Sequence, residues 1–459
     1  MKFTKFGKAL LISALSAAVA LSVTSCVQSY TVGYLYVTGT VTSQSGGNGI
    51  ISGYHIDHNT GKLTSVNGLP ISSGGANPVR AVLVTGSRFL YVLNRGVNSS
   101  GGSDCTTADP CQNSNITEFA VGGNGILTPQ ETFYTKGINP FRMFGDASGN
   151  FLYVLDHDAE DSASYTGATP TATNPNSCMQ ALGGTTTSCG DVTAFQVNQT
   201  TGRLSIVVNA QVTSASGAAL PYFPVPSSPI DFALVSGYVL TLAGTPTTGD
   251  TVFPYTYSTS TGQLTINQNS AQPLSISQGT AIVAGTGFVY VLDNEAITIA
   301  SGATSSFPAG TYSSQILPFS VGSGGALQAQ TGGIVPDDAT LANPIFLLVE
   351  SKGKFLYVAN QGDNVQGTNS GSGLSGYVID PNTHQLSFVA GEPFGSGSGP
   401  QCLVEDPSDQ FIYSADFNDS SITGRVVDPN SGVLNNLRVA STYALQGPAT
   451  WCLIDGRTS

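Results

Sequence analysis

The feature that most constrains this chain is a repeat. The stretch "FLYVLDHD", containing Tyr153, recurs as "YLYVTGT" (Tyr36), "FLYVLNRG" (Tyr91), "FVYVLDNE" (Tyr290), "FLYVANQGDN" (Tyr357) and "FIYSADFNDSS" (Tyr413). A degraded copy, "GYVLTLAG", puts Leu240 at the Tyr position, which makes seven. A Gly-x-Leu signal follows each copy and ends at Leu63, Leu127, Leu204, Leu264, Leu327, Leu386 and Leu434. Before it stand strand-like runs such as "GYHID" and "GYVID", then turns such as "HNTG" and "PNSG" with the Asn and Gly of tight hairpins. Ahead of most copies lies a Pro-opened run: "NPVRAVLV", "NPFRMFGD", "SPIDFALV", "NPIFLLVE", "GPQCLVED". Each repeat thus predicts three strands, and a fourth after Gly-x-Leu.

Four-stranded units repeated seven times predict an all-β, seven-bladed β-propeller, because a lone blade cannot bury both faces. The chain ends in "GPATWCLIDGRTS", a first strand without a partner, and the repeats begin at "GYLYVTGT", a second strand without a first. The C-terminal strand is therefore expected to complete the first blade, a 1+3 closure. Repeat lengths differ mainly between the second and third strands. These insertions should emerge on one face, which is often the binding face.

The composition fits exported β-structure. Gly (55) and Pro (24) are abundant, and only 9% of residues are charged, against roughly a quarter in ordinary soluble domains. The net charge of −13 argues against a nucleic-acid partner. Lys2, Lys5 and Lys8 precede an apolar stretch from Ala9 to Val23, a signal-peptide pattern too short for a membrane span. Its ending, "VTSC", resembles the bacterial lipobox. The resemblance implies cleavage before Cys26 and lipid on its sulfur. Residues 1–25 are then a signal peptide, 26–33 an anchor linker and 34–459 the propeller. The mature protein is expected as a monomer anchored in the cell envelope, in the outer membrane, facing periplasm or surface.

Lipidating Cys26 leaves six cysteines, which allow 15 connectivities. Proximity favours Cys105–Cys111 and Cys178–Cys189, both within insertions, and leaves Cys402–Cys452 to bridge the innermost strands of the two blades that meet at the closure. No Cys-x-x-Cys is present and no His lies near these positions, so neither a metal nor a cofactor is expected. "GSGLSG", Gly371 to Gly376, matches a dinucleotide fingerprint, but it sits in an insertion with no helix after it. "DHDAED" lacks the spacing of a calcium loop.

The repeats, above all "SKGKFLYVANQGDN" and "GYVIDPNTHQL", resemble the bacterial lactonase-family propellers, which include 6-phosphogluconolactonase-type and carboxymuconate cyclase-type enzymes. The resemblance spans roughly Tyr34 to the C-terminus. It implies the fold, and as an activity the hydrolysis or cycloisomerisation of a lactone. Family enzymes carry a His-rich opening of a first strand; here the openings read "NPVR", "NPFR", "NPIF" and "GPQC".

Among the four histidines, His55 falls in a third strand, and His58 and His384 fall in turns. His157 leaves the second strand of the third repeat on the insertion face. Equivalent exits carry Arg95, Glu295, Asp363 and Asp416, and Arg80 and Arg142 stand at two adjacent blade openings. His157, Arg142, Arg95 and Glu295 are the candidate catalytic set, with His157 as base and the arginines as oxyanion donors. Arg80, Asp156, Asp363 and Asp416 are candidate ligand contacts. Asn94, Asp156, Asp293 and Asn360 share one repeat position, as turn-capping residues would. The expected function is a binding module whose insertion face takes a small molecule, glycan or protein; the alternative is a lactone hydrolase or cycloisomerase acting on a sugar or acidic lactone.

Overall fold

The computed structural model describes residues 30–41, 48–84, 88–214, 216–244, 249–266, 272–285, 288–302, 307–330, 335–363 and 370–456. Seven antiparallel sheets, each with four strands running outward from a central channel, form a seven-bladed propeller. Blade 1 is completed by Ala449–Asp455, which pairs with Thr31–Thr40. That second strand begins at Thr31, a little before the expected start at residue 34. Cys26 and the rest of residues 1–29 lie outside the described residues. No described helix is long and apolar enough to cross a membrane.

All seven outer strands begin at the Leu of the Gly-x-Leu signal, from Leu63–Ser65 in blade 1 to Leu434–Asn436 in blade 7. The reason the two sequence signals travel together is a contact between blades. The buried Tyr36 hydroxyl donates to the Gly125 carbonyl in the turn of the next blade at 2.8 Å. Tyr91 reaches Gly202 at 2.5 Å, Tyr153 reaches Gly262 at 3.1 Å and Tyr357 reaches Gly432 at 2.7 Å. Tyr413 of blade 7 reaches Gly61 of blade 1 at 2.7 Å, so the same tether closes the ring. The turn glycines need their positive φ (67° at Gly61), and a Cβ there would strike a neighbouring aromatic ring, Phe411 at 2.6 Å. His384 takes the left-handed conformation in place of a glycine (φ 55°) and stacks on Phe288 at 3.8 Å.

The apolar core is divided in the same way. Seven clusters each lie between two adjacent blades, for example Tyr34, Tyr36, Leu90, Val92 and Phe119 between blades 1 and 2. One of the seven seals blades 7 and 1 around Leu35, Val37, Tyr413 and Cys452. Three disulfides join Cys105–Cys111, Cys178–Cys189 and Cys402–Cys452. The last links the innermost strands Pro400–Glu405 and Ala449–Asp455, with Cα atoms 6.0 Å apart.

One element was not legible. Among the described residues, five blades have a short fifth strand, such as Thr442–Ala444, that pairs with part of the third strand while the outer strand pairs with the rest. These segments lie in the connections to the next blade, where the repeat pattern is weak.

Candidate functional site

All seven innermost strands carry a β-bulge at the same place, between the opening residue and the residue two positions on. A bulge re-aims side chains and strengthens twist. Register equivalence makes the residues just past the bulge a ring of seven: Arg80, Arg142, Asp231, Ala281, Phe346, Cys402 and Trp451. The residue before Pro is left-handed at Asn77, Asn139, Ser228 and Asn343. The Asn77 and Asn343 amides donate to Gly96 and Gly362 carbonyls at 2.6 Å, which fixes where each innermost strand enters the channel.

A cavity of about 350 Å³ at the channel mouth is lined by Val79, Arg80, Arg142, Gln361, Gln401, Phe417, Asn418 and Thr450. A narrower one of about 160 Å³ continues past Arg80 and Arg142 to Asp231, Phe346 and Trp451. The Arg80 guanidinium lies 3.9 Å over the Trp451 ring, a cation–π contact. The Trp451 indole donates to the Ala81 carbonyl at 3.1 Å. Arg142 pairs with Asp231 at 3.2 Å, and Asp231 also accepts the Ile282 amide at 3.1 Å. Burial, and next the Arg142 charge, push the Arg80 pKa well down, and Asp231 offsets part of this. Arginine keeps its proton in proteins, so Arg80 and Arg142 both stay cationic at the mouth. Arg95 is pushed down by burial and then by Arg142, with Asp104 opposing, so three guanidiniums share one positive region.

The structure thus brings Arg80 and Arg142 together at one cavity. His157, Arg95 and Glu295 are not among its lining residues. His157 does not leave its strand as expected: Phe151–Asp158 stays paired to its end, where Asp158 faces Ile138. The His157 Nδ1 lies 3.0 Å from the Asp158 carboxylate, and its side chain is 38% exposed. Asp158 also accepts from Thr107 at 2.9 Å and from Ser164 at 3.2 Å. Burial raises its pKa, but the bonds from His157, Thr107 and Ser164 leave it below the usual aspartate value. Thr107 belongs to the insertion of blade 2, so Asp158 clamps that insertion onto blade 3. Asn139 helps by accepting the Cys111 amide at 2.6 Å. Arg95 donates to the Cys105 carbonyl at 3.4 Å within the same insertion.

Asp156 and Asp416 are fully buried and serve the blade connections. Asp416 accepts from Thr423 at 2.7 Å and Ser414 at 2.8 Å, and burial lifts its pKa to about 6 against those bonds. Asp156 faces the buried Asp191 over Thr193; burial raises both, and for Asp191 the Asp156 charge adds to the rise. Such a pair holds a proton between its members. Glu295 is half-buried and Asp363 is exposed, each in the connection after its second strand. Among the described residues no group of three or more His, Cys, Asp or Glu could hold a metal ion.

The family model for the seven-bladed β-propeller lactonases matches residues 33–173 and 312–446. The chain belongs to that family. Its relation to solved lactonase-type propellers is distant in sequence and close in fold. A candidate 6-phosphogluconolactonase from Bacteroides fragilis is 15% identical with a TM-score of 0.60, covering 92% of this chain and 98% of that one. Another from Bacteroides uniformis is 13% identical with a TM-score of 0.59, over 92% and 99%. The periplasmic gluconolactonase of Pseudomonas aeruginosa is 18% identical with a TM-score of 0.58, over 92% and 99%. No curated protein matches the chain in sequence. At these identities the lactonase-type structures establish the fold. Within this lactonase propeller the residues that sequence reasoning missed are Trp451, Gln401, Gln361 and Phe417. Trp451 gave no readable signal: aligning the prolines of "GPATWC" and "NPVR" sets Thr450 level with Arg80, and only the bulge register makes Trp451 the equivalent residue.

Proposed function

We propose that this lactonase-family propeller is a binding module that holds an acidic small molecule at the channel mouth, with Arg80 and Arg142 gripping its anionic group. The observation that carries this reading is the pair of guanidiniums from adjacent innermost strands bordering one cavity. A carboxylate or phosphate there would gain charge-assisted hydrogen bonds from both. Gln361, Gln401 and Asn418 supply neutral polar contacts for a polyhydroxylated body. Isothermal titration with 6-phosphogluconate tests the reading. Arg142→Ala should weaken binding by about 10-fold or more, the scale of a lost hydrogen bond to a charged group. Wild-type protein that binds neither 6-phosphogluconate nor gluconate would refute it.

A second reading, lactone hydrolysis, is favoured by the His157–Asp158 contact, which orients an imidazole as a general base requires. In that reading His157 takes a proton from water as it attacks the lactone carbonyl, the ring C–O bond of the tetrahedral intermediate then breaks, and the imidazolium returns the proton to the departing alkoxide. Lactone turnover that disappears in His157→Ala, with an unchanged melt, would move the function to this reading. Export and lipid anchoring at Cys26 belong to the same proposal and draw support from the three disulfides, which persist in oxidising compartments. Mass spectrometry of the mature protein should find lipid-modified Cys26 as its first residue; an unmodified Cys26 would remove the anchor.

A further inference from the structure

Register equivalence places Arg425 of blade 7 at a position held by Tyr54, Phe119, Phe195, Tyr255, Phe319 and Tyr377 in the other six blades. All six aromatics are buried, and each fills the space between its blade and the preceding one. In blade 7 the ring is replaced by a guanidinium, and a groove of about 810 Å³ opens beside it. Its floor is one face of the third strand, Ser421, Thr423 and Arg425. Ser396, Gly397 and Asp419 wall one side, and Asn436, Ser441, Thr442 and Ala444 the other. The connection after its second strand is the shortest in the ring, only residues 417–420.

The Arg425 guanidinium is fixed by donating to the Gly395 carbonyl through Nε at 3.0 Å and Nη2 at 2.5 Å. It also donates to the Asn436 side chain. The lining therefore mixes hydroxyls, a carboxylate, an amide and a guanidinium, with Ala444 as its one apolar side chain. A protein partner is anchored by aromatic or aliphatic side chains in desolvated pockets, which this groove lacks. Its size lies within the range of small-molecule sites. Vicinal hydroxyls, each both donor and acceptor, are the ligand chemistry that such a lining can satisfy pairwise.

We infer that the groove on blade 7, created by Arg425 in place of the aromatic residue of the other blades, is a binding site for a neutral saccharide. It adjoins the channel mouth, since Asn418 lines one site and Asp419 the other, but the two share no lining residue. The inference does not depend on what the channel binds.

The decisive variant restores the residue type of the other blades. The probes are maltotriose, cellotriose, mannotriose and the N-acetylglucosamine trimer, read by saturation-transfer NMR and titration calorimetry on the mature chain. At least one should bind the wild type. Arg425→Tyr should weaken that binding at least about 10-fold, one decade in affinity, without lowering the melting temperature. Asn436→Ala, at an exposed position, gives the same reading if Arg425→Tyr does not fold. Failure of all four sugars to bind at about 10 mM, an order of magnitude above a millimolar constant, would overturn the assignment. So would binding that survives both substitutions.

Discussion

Removing one hydroxyl at the seam tests how the ring is held closed. Tyr413 is fully buried and donates to the buried Gly61 carbonyl at 2.7 Å, linking blade 7 to blade 1. Burial raises the phenol pKa far above its ordinary value, so it remains a donor at any pH at which the protein is handled. Tyr413→Phe keeps the ring and its packing and deletes only the donor. The Gly61 carbonyl is then stranded away from water, and the expected loss is about 1–3 kcal/mol, the cost of an unsatisfied buried partner. Tyr357→Phe, which breaks the equivalent bond to Gly432 at 2.7 Å between blades 6 and 7, should cost a similar amount. Tyr134→Phe, at a position 63% exposed, should cost almost nothing. Urea titrations followed by near-ultraviolet circular dichroism, with disulfides intact, would read the shift in midpoint at constant slope. If Tyr413→Phe moved the midpoint no further than Tyr134→Phe, the tether would not stabilise the ring.

Other perturbations bear on the closure and on the buried acids. Truncation after Gly447 deletes the innermost strand of blade 1 and exposes the Thr31–Thr40 edge; cooperative melting should be lost, and an unchanged melt would exclude the closure. Replacing Cys402 and Cys452 by Ser opens a link of sequence separation 50; chain-entropy arguments give a loss of about 4 kcal/mol, and unchanged chemical stability would contradict it. Stability should fall as pH rises from 5 to 8. Asp156 and Asp191, raised by burial, and Glu392 and Glu405, raised by burial to about 8 and about 7, keep protons in the fold that the unfolded chain has already lost. Asp191→Asn should flatten that slope, and an equally steep slope would remove the pair as its source.

The blades were legible because their residues repeat the same physical task. Tyr153 and Gly262 recur because each tether needs a phenol in one blade and a left-handed turn in the next. The unpaired "TWCLID" strand revealed the closure for the same reason: a missing partner is visible in a repeat. The site was less legible because it departs from the repeat. Arg80 and Arg142 stood out as charges in an apolar register, but their shared cavity depends on a bulge that sequence does not display. His157 looked like a strand exit because Asp-His-Asp reads as a turn. In the structure Asp158 is engaged by Thr107 from another blade's insertion, a long-range contact that no local pattern encodes. Arg425 was overlooked because only the register identifies the aromatic position it fills.

The most direct measurement is a crystal structure of the mature chain soaked with 6-phosphogluconate. The account predicts its phosphate or carboxylate at the channel mouth, with oxygens about 2.7–2.9 Å from the guanidiniums of Arg80 and Arg142. An empty mouth in crystals that hold the ligand elsewhere, or a ligand bound with neither arginine touching it, would contradict the account.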